Sequence, residues 1–198
     1  MFDFIEGLIE EISPSHLVLH SGGIGFHVLI SLNSYAPFYE SFQHGEPHSR
    51  IYIHQSIRED AHILYGFKTR EEREIFRWLI SVSGVGANTA RMILSSLGPV
   101  EVQKAIAASD PGVFRSVKGI GTKTAERIIV DLRNKVNAES LQDHSGVVSQ
   151  PALREEALSA LVGLGFLKAP TEKVLNSILA EHSEYTLETL IRSALKQL

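Results

Sequence analysis

The sequence predicts an α+β protein of several domains, in which a β-barrel precedes an all-α domain. Short segments of alternating apolar and polar residues fill the first third of the chain, and a helical period replaces them after Thr69. One glycine motif then occurs twice within the helical part. We place an OB-like barrel at residues 1–64, tandem helix-hairpin-helix units at 65–137, a flexible linker at 138–150 and a three-helix bundle at 151–198.

The barrel is predicted from five strand-like segments separated by turn residues. Turns such as Ser13-Pro14-Ser15 and Ser21-Gly22-Gly23 recur at intervals of about ten residues. Turns this regular favour a small barrel that is closed or nearly closed. The predicted strands are Phe4–Ile12, His16–His20, Phe26–Ile30, Arg50–Ser56 and Ile63–Phe67.

Beyond the barrel, apolar residues recur with helical spacing. Thr69 is a suitable N-cap for the first helix, and Glu71, Glu72 and Glu74 are favoured near the positive end of its dipole. Glycine and proline residues then separate one helix from the next. Further helices are predicted at Ala90–Leu97, Val100–Ala108, Pro111–Val117 and Thr124–Val136.

The repeated motif places Gly-aliphatic-Gly between two helices. The segments Val82–Ala90 and Val117–Ala125 share it, and both end in Thr-Ala. We expect the paired glycines to allow positive φ and to expose backbone N–H groups beside the start of the following helix. Such a turn binds phosphate without reading a base, and two copies can bind two backbones. The repeat therefore predicts a nucleic-acid interface.

A glycine can also simply end a helix in a Schellman cap, and one copy alone would leave this alternative open. Two matching copies with local positive charge favour phosphate binding. The Gly-x-x-x-x-Gly-Lys spacing and the third glycine of a dinucleotide fingerprint are missing, so neither ATP nor NAD is expected. The predicted DNA-binding residues are Gly84, Val85, Gly86, Asn88, Lys118, Gly119, Ile120, Gly121, Thr122, Lys123 and Arg127.

Charge is distributed unevenly along the chain. The net charge is −4, yet residues 65–137 carry twelve basic and seven acidic side chains, while residues 1–64 carry two basic and eight acidic ones. The only basic third is thus the one with the repeated motif. The second turn is the more basic of the two, with Lys118, Lys123 and Arg127 against Asn88 and Arg91 around the first.

Composition limits the compartment and the kind of site. The chain has no cysteine, which excludes disulfides and thiolate zinc sites and favours a reducing cytoplasm. The segment Met1–Glu6 carries acidic residues where a signal peptide carries Lys or Arg, and no apolar run approaches ~20 residues. We therefore expect a cytoplasmic protein that neither spans a membrane nor is exported.

Glu59 and Asp60 are adjacent carboxylates between two predicted strands, where turn chemistry is the simpler interpretation. Two-metal nuclease chemistry needs several convergent carboxylates, and no other acids stand at a recognisable spacing. The nine histidines are scattered, and no nucleophile and base are paired. We expect no catalytic residue, no metal and no cofactor.

The last third of the chain is predicted to be a separate module. Residues 137–150 are small or polar and lack periodicity, which is typical of a flexible linker. A bundle of three short helices has little core of its own and suits an adaptor more than an active site. Its helices are predicted at Ala152–Leu161, Thr171–Ala180 and Thr186–Gln197.

The segment Arg58–Phe67, followed by the turns Gly84-Val85-Gly86 and Gly119–Arg127, resembles the RuvA family. These are the Holliday-junction-binding subunits of the bacterial RuvAB branch-migration complex, which acts in recombination, DNA repair and the SOS response. The resemblance covers the whole chain and implies a UBA-like C-terminal bundle. Helix-hairpin-helix turns occur in many repair proteins, so the Arg-Glu-Asp-Ala tip with Leu-Tyr-Gly-Phe is the specific part.

The resemblance implies a role for the two adjacent carboxylates. Glu59 and Asp60 would form an acidic pin, and four subunits would bring their pins to the centre of a four-way junction. The protein would be a homotetramer, single or paired, and a non-catalytic partner of the RuvB hexameric ATPase, with the RuvC resolvase in the same pathway. The implied RuvB contacts are Leu161, Leu164, Gly165, Phe166 and Leu167.

The sequence departs from the family at Asn88 and Thr122, where members often carry lysine. We expect weaker phosphate attraction and a shallower salt dependence, because each neutralised phosphate adds a slope of about −0.9 in log K against log salt. Two other functions stay open. A general duplex-binding adaptor would lack junction preference, and a junction nuclease would need a carboxylate cluster that holds metal.

Overall fold

The computed structural model describes residues 2–140, 150–181 and 185–198. The chain forms two compact units, Met1–Ala138 and Glu139–Leu198. The first unit contains a barrel and the repeated glycine turns, and the second contains the C-terminal helices.

Five strands close into a barrel in the order β1-β2-β3-β5-β4. Neighbouring strands are antiparallel except β3 and β5, which run parallel with Val28 opposite Leu64. This confirms the predicted five-stranded barrel; the last strand ends at Phe67 as expected, beyond residue 64, where we ended the barrel domain. The strands are β1 (Phe4–Ile12), β2 (His16–Ser21), β3 (Ile24–Ile30), β4 (His48–Ile57) and β5 (His62–Phe67).

Alternation along the strands decides which side chains fill the barrel. At Gly66 a Cβ would lie 2.4 Å from Val28 Cγ1 and 2.7 Å from Ile51 Cγ2, so the interior has no room for a side chain there. This explains the glycine in Leu-Tyr-Gly-Phe. The buried interior residues are Ile5, Ile9, Leu17, Leu19, Val28, Ile30, Ile51 and Ile53, with Phe38 from a helix packed against them.

That helix, α1 (Leu32–Gln43), was not predicted. Ser31 is its N-cap, and the Ser31 hydroxyl accepts a hydrogen bond from the Ser34 N–H at 3.1 Å. Pro37 lies inside the helix, where proline removes one helical hydrogen bond. Burial of Phe38 against the barrel outweighs that loss.

The helical part of the first unit follows the predicted order, with shifted boundaries. Thr69 caps its first helix as expected, because its hydroxyl accepts from the Glu72 N–H at 3.2 Å. The helix after each glycine turn begins directly at the turn, earlier than Ala90 and Thr124. The helices are α2 (Arg70–Ser81), α3 (Ala87–Ser96), α4 (Pro99–Ala107), α5 (Pro111–Arg115) and α6 (Thr122–Ser140).

Two buried barrel residues, Tyr65 and Phe67, belong to the apolar core of the helical region. The Phe76 ring of α2 lies 5.1 Å from the Tyr65 ring and 4.9 Å from the Phe67 ring, both on β5. The buried side chains around these rings continue through α3, α4 and α6 without interruption. The position of α2 against the barrel is therefore fixed by packing.

Two charged side chains of α2 are buried beside this core. The Glu72 carboxylate accepts hydrogen bonds from the Ser31 hydroxyl and, at 2.6 Å, from the Ser34 hydroxyl. Arg73 Nη1 donates to the Asp3 backbone carbonyl and to the Asp3 carboxylate, each at 2.6 Å. Both partners belong to the barrel side of the unit, so α2 is held by polar contacts as well.

Burial raises the pKa of Glu72 above its ordinary value of 4.5, and hydrogen bonds from Ser31, Ser34 and the Lys68 backbone oppose this rise. The Arg73 hydrogen bond lowers the pKa of the Asp3 carboxyl. Glu72 is thus a buried acid that resists ionisation.

The C-terminal unit is a three-helix bundle, as predicted. Thr186 caps the last helix by accepting from the Thr189 N–H at 3.3 Å. The linker is predicted at residues 138–150, but residues 138–140 lie in α6 and Gln150 begins α7. Residues 141–149 lie outside the described residues. The helices are α7 (Gln150–Gly163), α8 (Lys168–Glu181) and α9 (Leu187–Ala194).

Replacing Glu72 should affect stability in a pH-dependent way. Because its folded-state pKa is raised, its contribution to stability is fully present below about pH 4.5, the ordinary pKa, and is lost as pH rises through the folded-state pKa. As pH rises from the ordinary pKa through the folded-state pKa, the free energy of unfolding of Glu72→Gln, which cannot ionise, should rise relative to that of wild type. Glu72→Ala should lose about 2 to 4 kcal/mol, because two buried hydroxyls lose their acceptor.

Urea unfolding of both variants and the wild type, measured from pH 4 to pH 8, checks this expectation. Parallel stability curves for wild type and Glu72→Gln would contradict the raised pKa.

Candidate nucleic-acid interface

The two glycine turns have nearly the same backbone geometry. Gly84 and Gly119 adopt φ of +92° and +91°, which glycine tolerates without strain. In the first turn the Val85 N–H donates to the Val82 carbonyl at 3.0 Å, and in the second the Ile120 N–H donates to the Val117 carbonyl at 3.1 Å. The predicted repeat is therefore a structural repeat.

Only the first glycine of each pair uses positive φ. Gly86 has φ of −85°, and Gly121 also lies outside the positive region. Their carbonyls accept from the Ala90 and Ala125 N–H groups at 2.9 and 3.0 Å, which starts the following helices. A Cβ at either glycine would meet no atom within 4 Å. Nothing in the described part of the chain therefore requires glycine at these two positions, whereas close approach of a ligand backbone would.

The aliphatic residues of the turns lie inside the protein. Val85 and Ile120 are buried in the core of the helical region, so their side chains anchor the turns. The first N–H groups of α3, including those of Ala87 and Asn88, have no acceptor within the helix. Gly86 is the N-cap and has no side chain to cap them. Each turn thus presents backbone donors at the positive end of a helix.

Each turn is contacted by the helix that follows the other turn. Arg127 on α6 donates from Nη1 to the Ser83 carbonyl at 3.2 Å, and Met92 Cε on α3 lies 3.7 Å from the Cβ position of Gly119. We expected Arg127 to flank the second turn alone, but its guanidinium reaches the first turn. The two turns therefore lie side by side and can face the same duplex.

The exposed side chains differ between the turns. Lys118 and Lys123 are exposed around the second turn, and Asn88 is exposed at the matching place of the first. Arg91 on α3 donates to the Ser15 carbonyl of the barrel at 3.0 Å, so it serves as a structural contact. Thr122 is exposed in the first turn of α6. The positive charge is thus concentrated at the second turn.

Glu59 and Asp60 occupy the tip between β4 and β5. The Arg58 N–H donates to the Ala61 carbonyl at 2.8 Å, which closes the turn beyond the last paired residues of the two strands. Both carboxylates are exposed, and within residues 2–140 neither forms an ion pair. The tip precedes β5 and α2 follows it, so the acidic tip and the start of α2 lie at opposite ends of this strand.

Other kinds of site find no support in the described part of the chain. No group of three or more His, Asp or Glu side chains there could hold a metal ion. No described helix is long and apolar enough to cross a membrane.

Burial lowers the pKa of His54, which lies beside the Tyr65 and Phe76 rings, and the charges of Arg77 and Arg73 lower this pKa further.

The predicted partner-binding residues of the C-terminal unit differ in their exposure to solvent. Leu164 and Leu167 are 64% and 76% exposed, and Gly165 between them adopts φ of +101°. Phe166 packs partly on the bundle core. Leu161 is fully buried in that core, so we exclude it from the contact surface. Sequence periodicity places Leu161 on the apolar face but does not show that this face is internal.

Three family models match successive parts of the chain. The RuvA N-terminal domain matches residues 1–66, the SAM-like helix-hairpin-helix tandem matches residues 76–134, and the RuvA C-terminal domain matches residues 152–198. The first match corresponds to the barrel and the second to the glycine turns.

Full-length relatives agree with these matches. Proteins named Holliday junction branch migration complex subunit RuvA from Bacteroides thetaiotaomicron, Christiangramia forsetii and Parabacteroides distasonis are 42%, 47% and 46% identical to the chain. The comparisons extend over 206, 199 and 201 residues and cover 100% of this chain and of each relative. The chain therefore belongs to the RuvA family.

Proposed function

We propose that this protein binds four-way DNA junctions, holds them open and recruits an ATP-driven motor for branch migration. The observation that supports this most is the joint arrangement of the two glycine turns and the acidic tip on one rigid unit. Turns alone would suit any duplex-binding protein. An exposed pair of carboxylates on the same unit, separate from the turns, suits a branched DNA in which a crossover joins several duplex arms.

The turns would bind the sugar-phosphate backbone of an arm. Backbone N–H donors at a helix start recognise phosphate without regard to sequence, as a junction that moves along DNA requires. Lys118 and Lys123 would add charge at the second turn. Because Asn88 is uncharged, the first turn would depend on backbone donors.

Glu59 and Asp60 would act by repulsion. Carboxylates placed beside the crossover oppose the phosphates that converge there, which favours an open junction and separated strands. Residues 65–137, which hold both turns, carry twelve basic and seven acidic side chains, so a chain with net charge −4 can bind a polyanion through this part. Four copies around a fourfold axis would surround the crossover, and one or two such tetramers would enclose the junction.

The C-terminal unit would connect this platform to the motor. Leu164 and Leu167 expose apolar surface that a partner can cover, and the RuvB hexameric ATPase is the partner expected from the family. The chain itself would then be a non-catalytic, cytoplasmic subunit, with ATP hydrolysis on RuvB and later resolution by RuvC.

Competition binding tests the proposal directly. A four-way junction and a linear duplex of equal length compete for the protein in a gel-shift assay at fixed salt, with added magnesium. We expect preference for the junction, a free-protein mass that is a multiple of four chains, and intact DNA. Equal affinity for both DNAs would support a general duplex adaptor, and junction cleavage would support a nuclease.

Adding a methyl group at the second glycine of each turn should weaken DNA binding without unfolding the protein. Gly86→Ala and Gly121→Ala meet no atom within 4 Å and need no positive φ, but the methyl group would displace an approaching phosphate. We expect about fivefold weaker binding for each, equivalent to the loss of about 1 kcal/mol. Fluorescence anisotropy with labelled junctions measures the change.

Gly163→Ala is the matched control, because Gly163 also has open space and ordinary φ but lies in the C-terminal unit. It should bind DNA like wild type. Unchanged binding by both Gly86→Ala and Gly121→Ala would exclude the turns as phosphate sites.

Removing the C-terminal unit should separate binding from migration. A chain that ends at residue 150 retains the whole first unit, so its affinity for junction DNA should stay within about twofold of wild type. Migration of a labelled junction by RuvB and ATP should fall to the level seen without the protein. Loss of both activities, with the first unit still folded by circular dichroism, would refute this division of roles.

A further inference from the structure

We infer that Asn33 is a positioning residue that holds the first glycine turn in place relative to the acidic tip, and that this contact sets the preference for four-way over linear DNA. The inference rests on the proposed function. Asn33 lies in the first turn of α1, the helix that leaves the end of β3. Its side-chain amide donates to the backbone carbonyls of Leu94 and Leu97 at the end of α3.

The end of α3 needs a donor from outside the helix. The Leu94 carbonyl would ordinarily accept from the Gly98 N–H, but that group donates to the Glu101 carboxylate at 2.7 Å, where α4 begins. The next residue, Pro99, has no N–H to offer. Asn33 Nδ2 supplies the missing donor to Leu94 and contacts the Leu97 carbonyl at 3.1 Å.

The contact is part of a hydrogen-bonded chain along α3. The Leu32 N–H donates to Ser95 Oγ at 3.1 Å, and Ser95 Oγ donates to the Arg91 carbonyl at 2.8 Å. The Arg91 guanidinium in turn donates to the Ser15 carbonyl at 3.0 Å, which also accepts from the Ile30 N–H at 3.1 Å. The helix after the first turn is thus attached to the barrel through its middle and to α1 through its C-terminal end.

The two turns therefore have different roles. The first turn is attached to the barrel through α3, and the second contacts the first through Arg127 and Ser83. The exposed lysines lie at the second turn. We assign position to the first turn and most of the electrostatic attraction to the second.

Only a branched DNA is sensitive to the position of the first turn relative to the acidic tip. A linear duplex can slide and rotate until its phosphates meet the turns, wherever the acidic tip lies. The arms of a junction are fixed relative to its crossover, so the turns and the tip must be correctly separated for both to fit at once. Loosening α3 should therefore weaken junction binding more than duplex binding.

Asn33→Ala tests this assignment. We expect about fivefold weaker binding to the four-way junction and less than about twofold change for the linear duplex, since one pair of hydrogen bonds is lost and the turns themselves are intact. Two control variants are measured beside it. Gln43→Ala removes an exposed amide from the other end of α1, and Ile9→Val lowers the stability of the barrel core without touching α3.

A distance measurement reports the positioning without DNA. Because the chain has no cysteine, spin labels can be attached at Ser83→Cys and Asp60→Cys, with labelled chains diluted into unlabelled protein. Pulsed electron paramagnetic resonance should give a narrow distance distribution in wild type and a broader one in Asn33→Ala.

The outcomes distinguish failure of the inference about Asn33 from failure of the proposed function. If wild type binds both DNAs equally, the proposed function fails. If wild type prefers junctions and Asn33→Ala keeps both the preference and the narrow distribution, the inference fails alone. If Ile9→Val loses as much preference as Asn33→Ala, the effect is one of general stability, and the assignment of Asn33 is overturned.

Discussion

The packing of helix α2 against the outer wall of the barrel is the interaction on which the rest of the structure depends. Phe76 belongs to the core of the helical region, and its ring contacts the Tyr65 ring of β5, so the outer face of this strand is part of the helical core. Glu72 and Arg73 add buried polar contacts on the two sides of this packing. Because α2 leads directly into the first glycine turn, fixing the helix fixes this turn relative to the barrel.

The same packing keeps the acidic tip and the glycine turns within one unit. The acidic tip precedes β5, and α2 begins after that strand and leads into the first turn. Carboxylates and glycine turns are therefore joined through packed structure. A mobile linker between barrel and helices would remove the fixed geometry that distinguishes a junction from a duplex.

Local patterns predicted the elements whose cause is local. Alternation and glycine turns gave the barrel, and the repeated Gly-aliphatic-Gly gave both turns. What the sequence could not provide depends on tertiary contacts. Helix α1 persists despite Pro37 because Phe38 is buried; Arg127 bonds to Ser83 because the two turns lie side by side; and Leu161 is internal because three helices enclose it. The role of Asn33 depends on a carbonyl left free in another helix, which no periodicity reveals.

The most direct test of this arrangement maps where each element lies on DNA. A DNA-cleaving iron chelate can be attached to single cysteines placed at Glu59 or Ser83, because the chain has none of its own. On a four-way junction we predict cuts beside the crossover from position 59 and cuts along the arms from position 83. Cuts at the same nucleotides from both positions, or cuts spread evenly along the arms from position 59, would contradict the account.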